Sequence, residues 1–211
     1  MYIKNLIADG EGQQLDFKFN ISSAPKIAKT LVAFANTSGG RLLVGVKDNG
    51  HIVGVESEEE VFMIELAAER FCNPLINVDM TSWIVDGKTV LEVFVPQSAE
   101  KPHYAKDENG KWMVYIRKAD ENHLADRVLT EVFKRRKENK NTIIRYQKPE
   151  KALMDYLKIH KKITFPEFCR IADIPPKLAE KILINLISIS ILHVDFSGQQ
   201  NYYVLNQNMM D

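Results

Sequence analysis

The chain has 211 residues, with 28 Lys and Arg against 28 Asp and Glu, so its formal charge is zero. A 45% hydrophobic content beside 27% charged residues excludes wholesale disorder and suffices for one large core or two small ones. Its two cysteines, Cys72 and Cys169, are far apart and match no metal-ligand spacing, which argues against a disulfide framework and for a reducing, cytoplasmic setting.

In chain order, Met1 to Ala8 is too short for a signal peptide and is followed at once by Asp9 and Glu11. Gln14–Phe19 alternates around Leu15, Phe17 and Phe19 and predicts a strand. Pro25–Thr37 carries Ile27, Leu31 and Phe34 at helical spacing, with Gly39-Gly40 as its stop. Arg41–Val46 reads as a buried strand, and Asn49-Gly50 as a type I′ hairpin leading to a strand at Ile52–Val55. Ser57 caps an amphipathic helix. Strands follow at Val78–Val85 and Thr89–Val95, joined at Asp86-Gly87, and again at Lys111–Arg117; Leu124–Lys137 reads as a helix. Asp86-Gly87-Lys88-Thr89 lacks the first glycine of a phosphate loop, since Ser82 stands there, and reads as a hairpin. His103 and His123 fall in loops as solvent-facing polar residues. Without a regular βαβ repeat, this part is α+β.

Beyond it, Pro149–Ile159 is a helix and Thr164 caps a short helix, Pro166–Ala172. Pro175-Pro176 turns the chain into a longer helix, Lys177–Leu192, and His193–Phe196 and Tyr202–Leu205 flank a Ser197-Gly198 turn. That order is a winged helix-turn-helix pattern. Ile182–Leu192, the longest apolar run, is interrupted by Asn185, Ser188 and Ser190 and is too short to span a bilayer, so no membrane partner is expected.

Charge is unevenly spread. Residues 1–132 hold 14 basic and 20 acidic side chains (−6), residues 133–148 seven and one (+6), and residues 149–211 seven of each. The expected organisation is an α+β domain at 1–138, a basic linker at 139–148 and a winged helix at 149–211. Lys134, Arg135, Arg136, Lys137, Lys140, Arg145 and Lys148 form the one dense basic segment and are expected to contact phosphates. Lys177 and Lys181 begin the candidate groove-reading helix. The wing at 195–201 has no Lys or Arg and offers Gln199, Gln200 and Asn201 for base contacts. Arg117 and Lys118, with Lys101, Lys106 and Lys111, make a weaker basic group around the last strands of the first part.

The most specific signal combines Glu11, Asp16-Phe17-Lys18, the block AFANTSGG at 33–40, Asp48 and Ile52-Val53-Gly54-Val55. It closely resembles the Schlafen-like AlbA family of bacterial domains, over roughly residues 6–130; Lys101-Pro102-His103-Tyr104 and Tyr115-Ile116-Arg117 fit the usual ending. The resemblance implies DNA binding, here by a cytoplasmic, homodimeric transcription regulator needing no cofactor. Some eukaryotic Schlafen proteins carry a metal-dependent ribonuclease site of three acids. Carried over residue by residue, those are Glu11, Asp16 and Asp48, which would hold Mg²⁺ or Mn²⁺ with Lys18 on the phosphate, making a nuclease for RNA or single-stranded DNA the alternative. Asp16 departs from the family's Glu by one methylene. The residues alone also allow Asp16 and Lys18 to pair on a strand's polar face, AFANTSGG to be architectural or to offer glycine amides to a phosphate, and the winged helix to serve a protein-interaction adaptor.

Overall fold

The apolar spacing of Ile27, Leu31 and Phe34 organises the first half of the molecule in the computed structural model, which describes residues 2–55, 57–137, 146–195 and 201–206. The chain divides into two units, Met1–Ala125 and Asp126–Asp211. The first contains α1 (Tyr2–Asp9), β1 (Leu15–Lys18), α2 (Ala24–Asn36), β2 (Gly40–Val44), α3 (Glu59–Arg70), β3 (Cys72–Asn73), β4 (Asp79–Val85), β5 (Lys88–Val95), β6 (Tyr104–Lys106), β7 (Trp112–Met113), β8 (Tyr115–Lys118) and β9 (Glu121–Leu124). The expected α+β class holds.

The main sheet has the order β1-β2-β5-β4, with β1 parallel to β2 and the other pairs antiparallel. Side chains alternate across it. Leu42, Val44, Leu91 and Val93 face α2 and α3 in one core, while Leu43, Phe17 and Val90 face Ile3 of α1 in another. The smaller groups are β3-β6-β7 and the β8-β9 hairpin.

The AFANTSGG block is architectural. The Asn36 amide donates to the carbonyls of His103 and Tyr115, both at 2.9 Å, and its oxygen accepts from the His103 amide at 2.8 Å. The Thr37 hydroxyl donates back to the Ala33 carbonyl. The Gly39 N–H donates to the Phe34 carbonyl at 2.9 Å, so that amide is not offered to a phosphate. A Cβ on Gly40 would stand 2.3 Å from the Phe34 ring, which explains the glycine by contact with the core.

Several expectations need correction. Helix α1 is absent from the sequence reading, although Ile3, Leu6 and Ile7 have the right spacing for the face it buries. At Asn49-Gly50 only the glycine has positive φ (78°), so the turn is not type I′, and Ile52–Val55 joins Val46 by a single bridge rather than forming a strand. Lys111–Arg117 is broken into β7 and β8 at Val114. His103 is 4% exposed, not solvent-facing: its Nδ1–H donates to the Pro74 carbonyl (2.9 Å) and its Nε2 accepts from the Ser98 hydroxyl (2.7 Å).

The second unit contains α4 (Arg127–Lys137), α5 (Lys148–His160), β10 (Lys162–Ile163), α6 (Phe165–Ala172), α7 (Pro176–Ser188), β11 (Leu192–Asp195) and β12 (Tyr202–Leu205). Strand order is β10-β12-β11. Thr164 caps α6 in a reciprocal box with Glu167. Helix α7 stops at Ser188, short of the expected Leu192. Ser190 takes φ 64°, and the amides of Ser190 and Ile191 close on the carbonyls of Ile187 and Leu186, a Schellman ending. The core joins Leu153, Leu157, Phe168, Leu183 and Tyr203 to Val128 and Val132 of α4. The division therefore falls one helix earlier than the expected boundary at 138.

Gly40→Ala should lower the unfolding free energy by about 1–3 kcal/mol, because the Phe34 ring must leave its rotamer; urea titration of the variant checks this.

Candidate functional site

Alternation places Asp16 on β1 between Leu15 and Phe17, but the strand is buried on both faces and Asp16 is only 3% exposed. A buried carboxylate requires a cation, and Arg117 of β8 supplies it. Arg117 Nη2 donates to Asp16 Oδ1 at 3.0 Å and to the Leu15 carbonyl at 3.1 Å. Its Nε donates to the Gly12 carbonyl and its Nη1 to Asn122, with the guanidinium 5.2 Å from the Phe34 ring centroid. Arg117 is 1% exposed, so it is an internal strut and not the expected phosphate contact. Lys118 is buried too.

Lys18 Nζ lies 2.8 Å from Asp16 Oδ2 and donates to the Phe17 carbonyl at 2.7 Å. The pairing of Asp16 with Lys18 is thus present, with its acidic half buried. Glu11 accepts from the Phe17 amide at 2.7 Å and lies beside Asp16. Burial pushes the Glu11 carboxyl above its ordinary value. The hydrogen bond to Asp16 and its negative charge act in the same direction, against the Phe17 amide and the Lys18 ammonium.

The structure brings Glu11, Asp16 and Lys18 together and leaves Asp48 exposed on the turn after β2. Among the described residues no three His, Cys, Asp or Glu side chains are grouped to hold a metal ion. Asp16 Oδ1 is taken by Arg117, and Oδ2 lies 2.8 Å from the Lys18 ammonium without a hydrogen bond. No third acid completes the set among the described residues, so these residues fall short of the Mg²⁺ or Mn²⁺ site that the resemblance implied.

The basic segment divides differently. Lys134 and Lys137 are exposed on α4, Arg135 donates to Asn185 Oδ1 (2.6 Å) and Arg136 to the Ile187 carbonyl (2.9 Å), both on α7. Lys148 is exposed at the start of α5; Lys140 and Arg145 lie outside the described residues. Gln199 and Gln200 also lie outside them, and Asn201 donates to Asp126 at 2.6 Å. Lys101 donates to the Thr37 carbonyl, and Lys106 lies over the Trp112 ring.

Lys177 and Lys181 are exposed on α7 and border an open cleft of about 330 Å³ with Arg127, Glu131, Arg135 and Glu180. Sequence reasoning missed Arg127, which pairs with Glu180 at 2.8 Å. Its signal was present in α4's amphipathic pattern, where Val128 and Val132 mark the face turned to the second core. Four cations against two acids leave the cleft positive. There the basic side chains of α4 and α7 share one surface.

Two outcomes follow for the first unit. Arg117→Met should cost about 3–5 kcal/mol by stranding the buried Asp16 carboxylate, and Asp16→Asn added to it should restore part of the loss; denaturant unfolding of both variants measures this. For Glu11, a raised carboxyl pKa means that the folded state holds its proton more tightly, so stability is lost as pH rises through that value. Glu11→Gln should be at least as stable as the parent at pH 7, with the difference vanishing below the unfolded carboxyl range; unfolding midpoints across pH 3–7 test the sign.

No helix among the described residues is long and apolar enough to cross a membrane. No curated protein matches the chain. The crystal structure of the DIP2311 protein from Corynebacterium diphtheriae is similar, with 24% identity and a TM-score of 0.47 over 63% of this chain, which spans only 27% of that protein. The solution structure of the N-terminal domain of a RecG-related protein from Nitrosomonas europaea has 26% identity and a TM-score of 0.41, covering 55% of this chain and 86% of that domain. The family model described as Schlafen, AlbA_2 matches residues 11–126, more than half of the sequence and nearly all of the first unit. The chain belongs to the Schlafen AlbA_2 family.

Proposed function

We propose that this protein is a cytoplasmic, DNA-binding transcription regulator that acts as a homodimer and holds phosphates in the cleft between α4 and α7. One observation carries the reading: Arg127, Arg135, Lys177 and Lys181 converge on that cleft, although they come from segments fifty residues apart. The order α5-β10-α6-α7-β11-β12 supports a winged helix, with α7 as the helix that enters the groove. Membership of the AlbA_2 family supports a nucleic-acid role in general terms.

The chemistry favours affinity over sequence readout. The exposed arc of α7 offers Lys177, Leu178 and Lys181, while Asn185 is held by Arg135. Lysines bind phosphate as point charges and carry little base information. Binding should therefore tolerate sequence change and fall steeply with salt.

Lys177→Ala with Lys181→Ala should weaken binding to unrelated duplexes about equally and reduce the slope of log affinity against log salt by about 2. Fluorescence anisotropy across a salt series measures it, and a slope that does not change excludes the cleft as the contact.

A further inference from the structure

Strand β4 forms an outer edge of the main sheet. Its hairpin to β5 closes at Val85 and Lys88, with positive φ at both Asp86 (51°) and Gly87 (75°), a type I′ turn. That register commits the main-chain groups of Val85, Trp83, Thr81 and Asp79 to β5 and turns those of Ile84, Ser82 and Met80 outward. The strand is seven residues long and contains no Pro, Lys or Arg. Edges of that length are ordinarily protected by such residues, and here Ile84 is 82% exposed.

We propose that β4 pairs antiparallel with β4 of a second copy of this chain, about a two-fold axis through Ser82, joining two four-stranded sheets into one. Pairing centred there uses the whole strand. It sets Ile84 opposite the partner's Met80 and Trp83 opposite the partner's Thr81, an aliphatic and an aromatic cross-strand pair, each made twice. Ile84 and Met80 share the face of the sheet that carries α3. Beside Met80 is an open groove of about 460 Å³, floored by Ala68, Ile76 and Val78 and edged by Leu75, which is 58% exposed. An exposed apolar knob on each copy thus meets the apolar floor of a groove on the other, whose rim carries Glu65, Glu69 and Arg70.

Charge is compatible with the same register. Asp79, the strand's single charge, falls opposite the partner's Val85 and not opposite its own copy. Asp86, which follows Val85, is the nearest acid of the other copy, and its charge is already taken up by Lys4 at 2.7 Å.

The interface rests on the homodimer proposed above and supplies its contact; it is tested without nucleic acid, so its failure leaves the phosphate cleft standing. Sedimentation velocity of the full chain should give a species at twice the 24.2 kDa chain mass. Ile84→Lys should raise the dimer dissociation constant about tenfold or more without changing the circular dichroism of the monomer. Under mild oxidation Ser82→Cys should crosslink two chains, since residues facing each other in a hydrogen-bonded pair have Cα atoms about 5.5 Å apart; the parent chain, with Cys72 and Cys169, is the control. A monomeric parent, as expected if the edge serves a foreign strand, overturns the proposal. So does a dimer unaffected by Ile84→Lys, or a Ser82→Cys chain that fails to crosslink.

Discussion

The first unit depends on one buried ion pair. Asp16 on β1 and Arg117 on β8 bring together strands from opposite ends of the unit, and the same guanidinium also occupies the Gly12 and Leu15 carbonyls and the Phe34 face. Five N–H donors on a rigid plane make this possible; a lysine could not satisfy so many acceptors at once. Gln13 reinforces the join by donating to the Arg117 carbonyl and accepting from the Ala119 amide. Through Asn122 and Thr30 the network reaches α2 as well.

That pair also determines what the acidic motif does in this member of the family. Asp16 faces Arg117 on one oxygen and Lys18 on the other, and among the described residues no third acid joins it and Glu11 to complete a metal site. The shorter side chain is consistent with this use, since it keeps the carboxylate close to its own strand, within reach of an internal arginine. Glu11 adds a hydrogen-bonded neighbour to the cluster. The cluster therefore ties β1 to β8.

Much of this was legible in the residues. Periodicity located α2, α3, β4, β5 and α6, and the AFANTSGG block disclosed both its family and its architectural character. What could not be read were partners distant in sequence. Arg117 looks like any strand arginine until Asp16, 101 positions earlier, is placed beside it. His103 reads as a loop residue because its acceptor and donor, Pro74 and Ser98, lie on other segments. Helix α4 was found, but not its allegiance: an amphipathic stripe says that a face is buried, not against which core. For the same reason the basic segment is expected to contact phosphates throughout, whereas Arg135 and Arg136 in its helical half are held by α7.

The long sequence separation within the Asp16–Arg117 pair also imposes an order of events on synthesis. At translation rates of about 5–20 residues per second, Arg117 follows Asp16 by on the order of 5–20 s. Until then β1 has a partner strand in β2 and Lys18 beside one carboxylate oxygen, but no guanidinium to take the other out of water. The nascent chain must keep Asp16 hydrated through that interval, so the first strand to be made is among the last to be sealed in. A chain arrested before β8 would expose β1, and quality control acting on the ribosome would meet a sheet whose first strand is still open.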